Sequence, residues 1–134
     1  MVPQKICKTY LMGQNLSELP ARTAKKVGNP RRIISEQENR HRFHTAFVGD
    51  IVVSIYESGP AKLQIENSLY DELIHVLEGS LVLTDTEGFA QKIETGGFVV
   101  MPRGFCGTWE MVGDAYRELV VIERDTLEHD MAAS

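Results

Sequence analysis

The sequence predicts an all-β domain, an antiparallel sandwich or barrel, and three observations support that fold class. From about residue 45 onward, short apolar runs follow one another, with turn residues between them at intervals of roughly eight to twelve residues. The runs are rich in β-branched side chains, and none shows the helical apolar period. At 134 residues, the chain is long enough for one domain with its own core and too short for two.

Each apolar run is bounded by residues that favour turns. Ser58-Gly59-Pro60 ends the first run, and Glu78-Gly79 and Gly113-Asp114 interrupt later ones. The predicted strands, in chain order, are Phe47–Glu57, Ala61–Glu66, Glu72–Leu77, Ser80–Thr84, Phe89–Ile93, Phe98–Met101, Gly107–Val112 and Tyr116–Arg124.

The first third of the chain differs from the rest in composition. Residues 13–45 are polar and irregular, and Ser17 can cap a short helical turn over residues 17–26. We therefore expect residues 1–45 to form an extension that packs on the barrel or on a partner subunit. Residues 46–126 then form the barrel and residues 127–134 a tail.

The bulk composition argues against several classes of function. A formal net charge of -5 and a pI near 5.3 disfavour a nucleic-acid partner, because no extended basic patch is available to displace counterions from phosphates. No stretch of about eighteen apolar residues and no secretory leader is evident. Cys7 and Cys106 lie far apart and lack zinc-site spacing. We expect a cytoplasmic protein with no nucleic-acid or membrane partner.

Two sets of residues stand at regular spacings within the strand region. The first follows the pattern Gly-x5-Ile-x-Asn-x4-Glu-x6-Gly, at Gly59, Ile65, Asn67, Glu72 and Gly79. The second follows the pattern Gly-x5-Pro-x-Gly-x2-Gly-x3-Met, at Gly96, Pro102, Gly104, Gly107 and Met111. The glycines suit turns that need a positive φ, and proline suits a strand end where no ladder donor is required.

In order and spacing, these framework residues resemble the paired motifs of the cupin superfamily. The segments around Tyr70-Asp71-Glu72 and Met101–Phe105 look like the small cupins that include EutQ-like and ureidoglycine aminohydrolase-like proteins, over roughly Val48 to Glu123. The resemblance implies an antiparallel double-stranded β-helix, the cupin jelly-roll barrel, with an irregular N-terminal segment. It also implies a small-molecule ligand and a homodimer. Most members of that group have no established activity.

The metal ligands that cupins usually carry are largely missing. The resemblance places Ile65, Asn67 and Gly107 where three histidines would stand, so that Glu72 alone is retained. Aliphatic and glycine residues cannot ligate, and a neutral amide is a weak donor, so we expect no tight metal site and no cofactor. The family nevertheless suggests an alternative, a manganese- or zinc-dependent hydrolase or lyase of the ureidoglycine or ureidoglycolate type, with Glu72 as the central ligand.

Glu72 is the candidate catalytic residue, and we expect a small-molecule pocket centred on this one inward carboxylate. By strand alternation it shares a face with Ile74 and Val76, so it should point into the barrel among apolar neighbours. A buried carboxylate must find donors or take up a proton. It can serve as a general acid or base, or as an anchor for a cationic or hydroxylated ligand. It can equally be a structural carboxylate satisfied by Tyr70, Arg103 or backbone groups.

Other residues are candidates for lining the pocket. Trp109 and Met111 share the face of Gly107, where they line a ligand site or simply fill the core. Asn67 and Tyr70 are further ligand-binding candidates, although Asn67 can instead cap a turn. The sequence does not rank the remaining rim candidates, Tyr56, Glu57, Tyr116 and Glu118.

The four histidines do not restore a metal site. His75 has the opposite parity to the inward carboxylate and should face away from the pocket. His41 and His44 lie in the polar first third, and His129 lies near the end, so we interpret all three as incidental. Three hypotheses therefore remain: a small-molecule-binding cupin that acts without a metal, a metal-dependent enzyme, and a non-enzymatic dimeric accessory or regulatory domain.

Overall fold

The computed structural model describes residues 2–19, 31–36 and 41–124. Within these ranges most residues lie in antiparallel β-strands, which confirms the predicted all-β fold. No helix there is long and apolar enough to cross a membrane. The elements are α1 (Lys8–Leu11), β1 (Ser17–Leu19), β2 (Arg31–Glu36), β3 (His41–Val48), β4 (Ile51–Ser58), β5 (Ala61–Ile65), β6 (Glu72–Asp85), β7 (Ala90–Ile93), β8 (Phe98–Met101) and β9 (Gly107–Glu123).

Two long strands organise the sheet. Strand β9 pairs with β4, β5 and β6, and β6 pairs in addition with β7 and β8. Alternate residues of these strands point into a single apolar core, as the period of two in a strand requires. The core residues are Ala61, Leu63, Ile65, Ile74, Val76, Leu81, Leu83, Ile93, Met101, Trp109, Met111, Tyr116 and Val120.

Two predicted turns proved to lie inside strands. Glu78-Gly79 was expected to end one strand and Gly113-Asp114 another, but β6 and β9 run through these positions with shifts of register between Val76 and Ser80. Gly79 has a φ of +78°, and a Cβ on it would lie 2.6 Å from the carbonyl oxygen of Val112. The glycine is therefore needed where the paired strands bend, which is the role of a β-bulge.

The N-terminal third contains more strand than expected. The helical turn predicted from residue 17 is wrong for Ser17–Leu19, which form β1 and pair with β3, while residues 20–26 lie outside the described part. Strands β2 and β3 also lie in the segment expected to be irregular, and β3 crosses the predicted boundary at residue 45. The cause is tertiary: β2 pairs with β5 and β3 with β4, and such pairing overrides weak local propensity. The predicted tail at residues 127–134 is outside the described residues.

A row of alternating charges crosses the outer face of four strands. Arg117 on β9 lies between Glu57 on β4 and Glu78 on β6, with its Nη1 at 2.8 Å from Glu57 Oε2 and 2.7 Å from Glu78 Oε2. Arg42 on β3 then donates from Nε to Glu57 Oε1 at 2.9 Å. We call this row the charge ladder. It fixes the relative register of β3, β4, β9 and β6, because each member lies directly opposite the next.

The charge ladder also holds the N-terminal segment against the sheet. Its two arginines donate hydrogen bonds to the backbone carbonyls of Leu11, at 3.0 Å, and Gly13, at 3.1 Å. The ring of Tyr10 stacks on His44 of β3, with a centroid distance of 3.5 Å and an interplanar angle of 4°. Residues 8–13 therefore cover the outer face of the sheet on the side of β3 and β4, and β1 then pairs with the edge of β3.

Replacing Arg117 by Met should lower the free energy of unfolding by about 2 kcal/mol, because it removes a cation that two carboxylates share in a mostly buried position. The matched control is Lys92→Met. Lys92 and Glu94 are 56% and 69% exposed, against 11% for Arg117, so that change should cost less than about 0.5 kcal/mol. Urea denaturation measures both values, and equal losses would contradict a structural role for the ladder.

Candidate functional site

Glu72 points into the barrel, as its alternation with apolar neighbours predicted. It is the first residue of β6 and only 2% exposed, and Ile74 and Val76 on the same face are fully buried. Its cross-strand neighbours are Met101 on β8 and Ile122 on β9. Strand pairing therefore carries a carboxyl group into the apolar interior, beside the loops that precede β6 and follow β8.

The interior holds a second carboxyl group, so the expectation of a single inward carboxylate is wrong. Glu118 on β9 is 3% exposed and lies opposite Val76 on one side and Tyr56 on the other. The hydroxyl of Tyr116, which is fully buried, donates to Glu118 Oε1 at 2.8 Å. Glu118, Tyr116 and Tyr56 were named from the sequence only as unranked rim candidates. Glu57, the remaining rim candidate, belongs instead to the charge ladder on the outer face.

Tyr116 is kept protonated by its surroundings. Burial raises the pKa of the Tyr116 phenol far above its ordinary value, and the charge of Glu118 and its hydrogen bond to the phenol raise it further. The charge of Glu72 adds to the same effect, which places both carboxyl groups within electrostatic reach of one phenol. At neutral pH, Tyr116 is consequently a hydrogen-bond donor and not a base.

His41 joins this buried polar group, so the prediction that it is incidental is wrong. It begins β3, is 2% exposed, and its Nδ1 makes a short hydrogen bond with the hydroxyl of Tyr56. Tyr56 itself is partly buried and packs against the core. The signal that could have found His41 is the strand character of residues 41–48, which polar side chains on both faces obscure. We call Glu72, Glu118, Tyr116, Tyr56 and His41 the interior polar group.

The structure places the other predicted site residues in two settings. Trp109 and Met111 are 4% and 2% exposed and belong to the core, where Trp109 lies between Leu63 and Leu83 on the flanking strands. Tyr70 is also buried, at 7% exposed. Asn67 is exposed in the loop before β6 and has a φ of +53°, which suits a turn. Ligand binding by these four residues stays a prediction.

The loop before β6, residues 66–71, and the loop after β8, residues 102–106, are joined by hydrogen bonds. Ser68 exchanges backbone bonds with Phe105 at 3.0 Å and Gly104 at 2.7 Å. The backbone N–H of Arg103 donates to Asp71 Oδ1 at 2.8 Å, and the side chain of Arg103 is exposed. These bonds hold the two loops together at the end of the barrel where Glu72 enters the interior.

The positions of the usual cupin metal ligands do not fit a metal ion here. Ile65 is fully buried and aliphatic. Gly107 lies opposite Ile65 and Asp85, and a Cβ on it would overlap the carbonyl oxygen of Thr84, so the backbone leaves no room for a ligating side chain. Among the described residues, no three histidine, cysteine, aspartate or glutamate side chains are placed to hold an ion.

His75 lies on the outer face, as its parity predicted. Its ring stacks on Phe98 with a centroid distance of 4.0 Å, and its Nδ1 lies 3.2 Å from the carbonyl oxygen of Gly97. Because a carbonyl oxygen only accepts, Nδ1 carries the proton in this contact. His75 is therefore separate from the interior polar group.

Several solved structures have a similar fold. The chain is similar to a putative ethanolamine utilization protein Q from Salmonella typhimurium LT2, with a TM-score of 0.54, 19% identity and coverage of 63% of this chain and 69% of that one. A protein of unknown function from the DUF861 family of Pseudomonas syringae pv. tomato matches with a TM-score of 0.57 and 21% identity, over 62% of this chain and only 36% of that one. The cupin domain of Cnp3 from Schizosaccharomyces pombe gives 0.54 and 18%, over 74% of both chains. At these identities, the likeness concerns the fold alone.

The family follows from the sequence match. Among curated proteins, none matches this sequence. The model of the EutQ-like cupin domain, however, matches residues 45–117, which are more than half of the chain. The matched part includes all six framework residues that carry the resemblance, which are Gly59, Glu72, Gly79, Gly96, Pro102 and Gly104. This protein belongs to the EutQ-like cupin domain family.

Proposed function

We propose that this cupin binds a small molecule inside the barrel and anchors it through Glu72 and Glu118. The observation that carries the proposal is the burial of two carboxyl groups, at 2% and 3% exposed, on the inner faces of paired strands. Carboxyl groups are costly to place in an apolar interior, and departures from the usual burial pattern are most often found at functional sites.

The chemistry of the interior polar group indicates what such a ligand carries. An ionised carboxylate only accepts hydrogen bonds, and the proton of Tyr116 is already directed at Glu118. The ligand therefore supplies N–H or O–H donors, as hydroxylated and ammonium compounds do. Glu72 is the first residue of β6, so a ligand that enters at this end of the barrel reaches Glu72 before Glu118, which lies opposite Val76.

The comparisons suggest a first probe. The Salmonella relative is described as a putative ethanolamine utilization protein, and ethanolamine carries both an ammonium group and a hydroxyl group. Small amino alcohols therefore head the panel of test compounds, followed by polyols and simple amines. In this proposal the buried residues Tyr70, Trp109 and Met111 supply shape and apolar contact, and Asn67 contacts the ligand from the loop before β6.

Glu72→Gln and Glu118→Gln should each abolish the thermal stabilisation that a binding member of this panel produces. For the unchanged protein, a ligand at about one hundred times its Kd stabilises by about 2.7 kcal/mol, which differential scanning fluorimetry detects as a shift of several degrees. Glutamine keeps the shape and removes the charge. The control is Glu87→Gln, because Glu87 is exposed in the turn before β7 and should leave the shift intact. Equal shifts in all variants, or no shift with any compound, would refute the proposal.

The metal-dependent alternative is weaker because of the residues themselves. Only Glu72 remains of the usual ligand set, and restoring a histidine at Gly107 would displace the backbone of β6. A transition-metal site with one protein ligand does not bind tightly.

Protein purified without a chelator should accordingly contain far less than one manganese or zinc ion per chain. Inductively coupled plasma mass spectrometry measures the content, with Glu72→Gln analysed in parallel as the variant that lacks the remaining ligand. A stoichiometric ion that disappears in Glu72→Gln would show that unaligned residues assemble a metal site, and the metal-dependent alternative would then replace the proposal above.

A further inference from the structure

We infer that the ligand of the interior site is amphipathic, an amine or amino alcohol that carries an alkyl chain or a ring. The inference rests on the function proposed above and names the class of compound that the site selects. The observation that carries it is the distribution of buried side chains between the two halves of the sheet. The interior polar group lies on one half, and among the described residues the buried side chains of the other half are apolar or aromatic.

The two halves meet along the two long strands, β6 and β9. Residues 116–123 of β9 pair with β4, whereas residues 107–111 pair with β5. Between these stretches the two strands approach closely, so that a Cβ on Gly113 would lie 3.3 Å from the Cα of Gly79. Val120 from one half and Trp109 from the other belong to the same core. The inward faces of the two halves therefore enclose a common interior.

We call the inward face of β3, β4, residues 116–123 of β9 and residues 72–76 of β6 the polar wall. Strand register places His41, Ser58 and Tyr116 in one row of this wall, and Tyr56 and Glu118 in the next. The hydrogen bond from Tyr116 to Glu118, at 2.8 Å, joins neighbours within the wall, and so does the bond between His41 and Tyr56. These bonds run along the sheet and not across the interior.

We call the inward face of β5, β7, residues 107–111 of β9 and residues 81–85 of β6 the apolar wall. Its buried side chains are Ala61, Leu63, Ile65, Leu81, Leu83, Ile93, Trp109 and Met111. Asp85, at the end of β6, shares the inward parity, but its Oδ1 accepts two backbone N–H groups of the following turn, at 2.9 and 3.0 Å. Its carboxylate therefore caps that turn and does not serve the interior.

The two walls make opposite demands on a ligand. Packed sheets lie ~10 Å apart, so one small molecule can touch both walls. The carboxyl groups of the polar wall favour positive charge and hydrogen-bond donors, and a primary ammonium group supplies three N–H donors. The apolar wall stabilises a ligand through burial of apolar surface. A compound that is polar all round would lose its water at the apolar wall without gaining hydrogen bonds there. An amphipathic amine satisfies both walls.

A homologous series of amino alcohols tests the inference on the unchanged protein. Ethanolamine, alaninol, 2-aminobutanol and norvalinol share one polar head and differ by single methylene groups. Isothermal titration calorimetry should show a Kd that falls by about fourfold with each methylene, because each one is buried against the apolar wall. Norvalinol should thus bind roughly fiftyfold more tightly than ethanolamine. The heat capacity change of binding should become more negative along the series.

Serinol provides a matched comparison of ligands, since it differs from 2-aminobutanol only by a hydroxyl group in place of a methyl group. That hydroxyl would face the apolar wall without a partner. Serinol should therefore bind at least about tenfold more weakly than 2-aminobutanol.

Met111→Gln places a polar group on the apolar wall, where Met111 is 2% exposed. It should reduce the ratio of the ethanolamine and norvalinol Kd values from roughly fiftyfold to less than about tenfold. The control is Val112→Gln, because Val112 is the next residue of β9, points outward and is 38% exposed, so the ratio should not change. Thermal melting checks the folding of both variants. If Met111→Gln does not fold, the two ligand comparisons on the unchanged protein decide.

The outcomes separate this inference from the function on which it rests. A constant Kd along the series, or equal binding of serinol and 2-aminobutanol, would overturn the inference, and loss of ethanolamine binding in Glu72→Gln would still uphold the proposed function. An equal change of the Kd ratio in Met111→Gln and Val112→Gln would also overturn the inference. Both would be overturned if no compound bound. Both would also be overturned if the series bound equally well to Glu72→Gln, because the compounds would then bind outside the interior.

Discussion

The pairing of β6 with β9 is the contact on which the rest of the molecule depends. It runs from Glu72 opposite Ile122 to Asp85 opposite Gly107, nearly the full length of both strands. Strands of this length must bend to enclose a core, and the bend occurs where Gly79 approaches the backbone of β9. Because the register shifts there without breaking the ladder, both halves of each strand keep an inward face directed at the same core.

This pairing separates neighbouring residues into different roles. On β9, Tyr116 and Glu118 face the interior, while Arg117 between them faces outward and joins the charge ladder. On β6, Glu72 is buried in the interior, while its neighbour Leu73 lies on the outer face and is 40% exposed. The interior polar group and the attachment of the N-terminal segment are therefore consequences of one alternation of side chains.

The predictable parts of the structure are those with a simple pattern. The inward direction of Glu72 follows from its spacing to Ile74 and Val76, which are apolar, and turn residues located most of the strands. Glu118 could not be assigned in this way, because the adjacent Arg117 is also charged and no polar–apolar alternation distinguishes the two faces. In β3, polar side chains on both faces obscured the strand, and His41 was missed. Its burial depends on pairing with β4, which local pattern does not encode.

The most direct test of the interior polar group is the chemical accessibility of its two carboxyl groups, Glu72 and Glu118, in solution. Carbodiimide coupling to glycine ethyl ester, followed by peptide mass spectrometry, labels each carboxyl group at a rate that reflects its exposure. Because Glu72 and Glu118 are buried, we predict that both react far more slowly than the exposed Glu87 in the folded protein. In denaturant, all three should react equally fast. Labelling of Glu72 or Glu118 at the rate of Glu87 in the folded protein would contradict it.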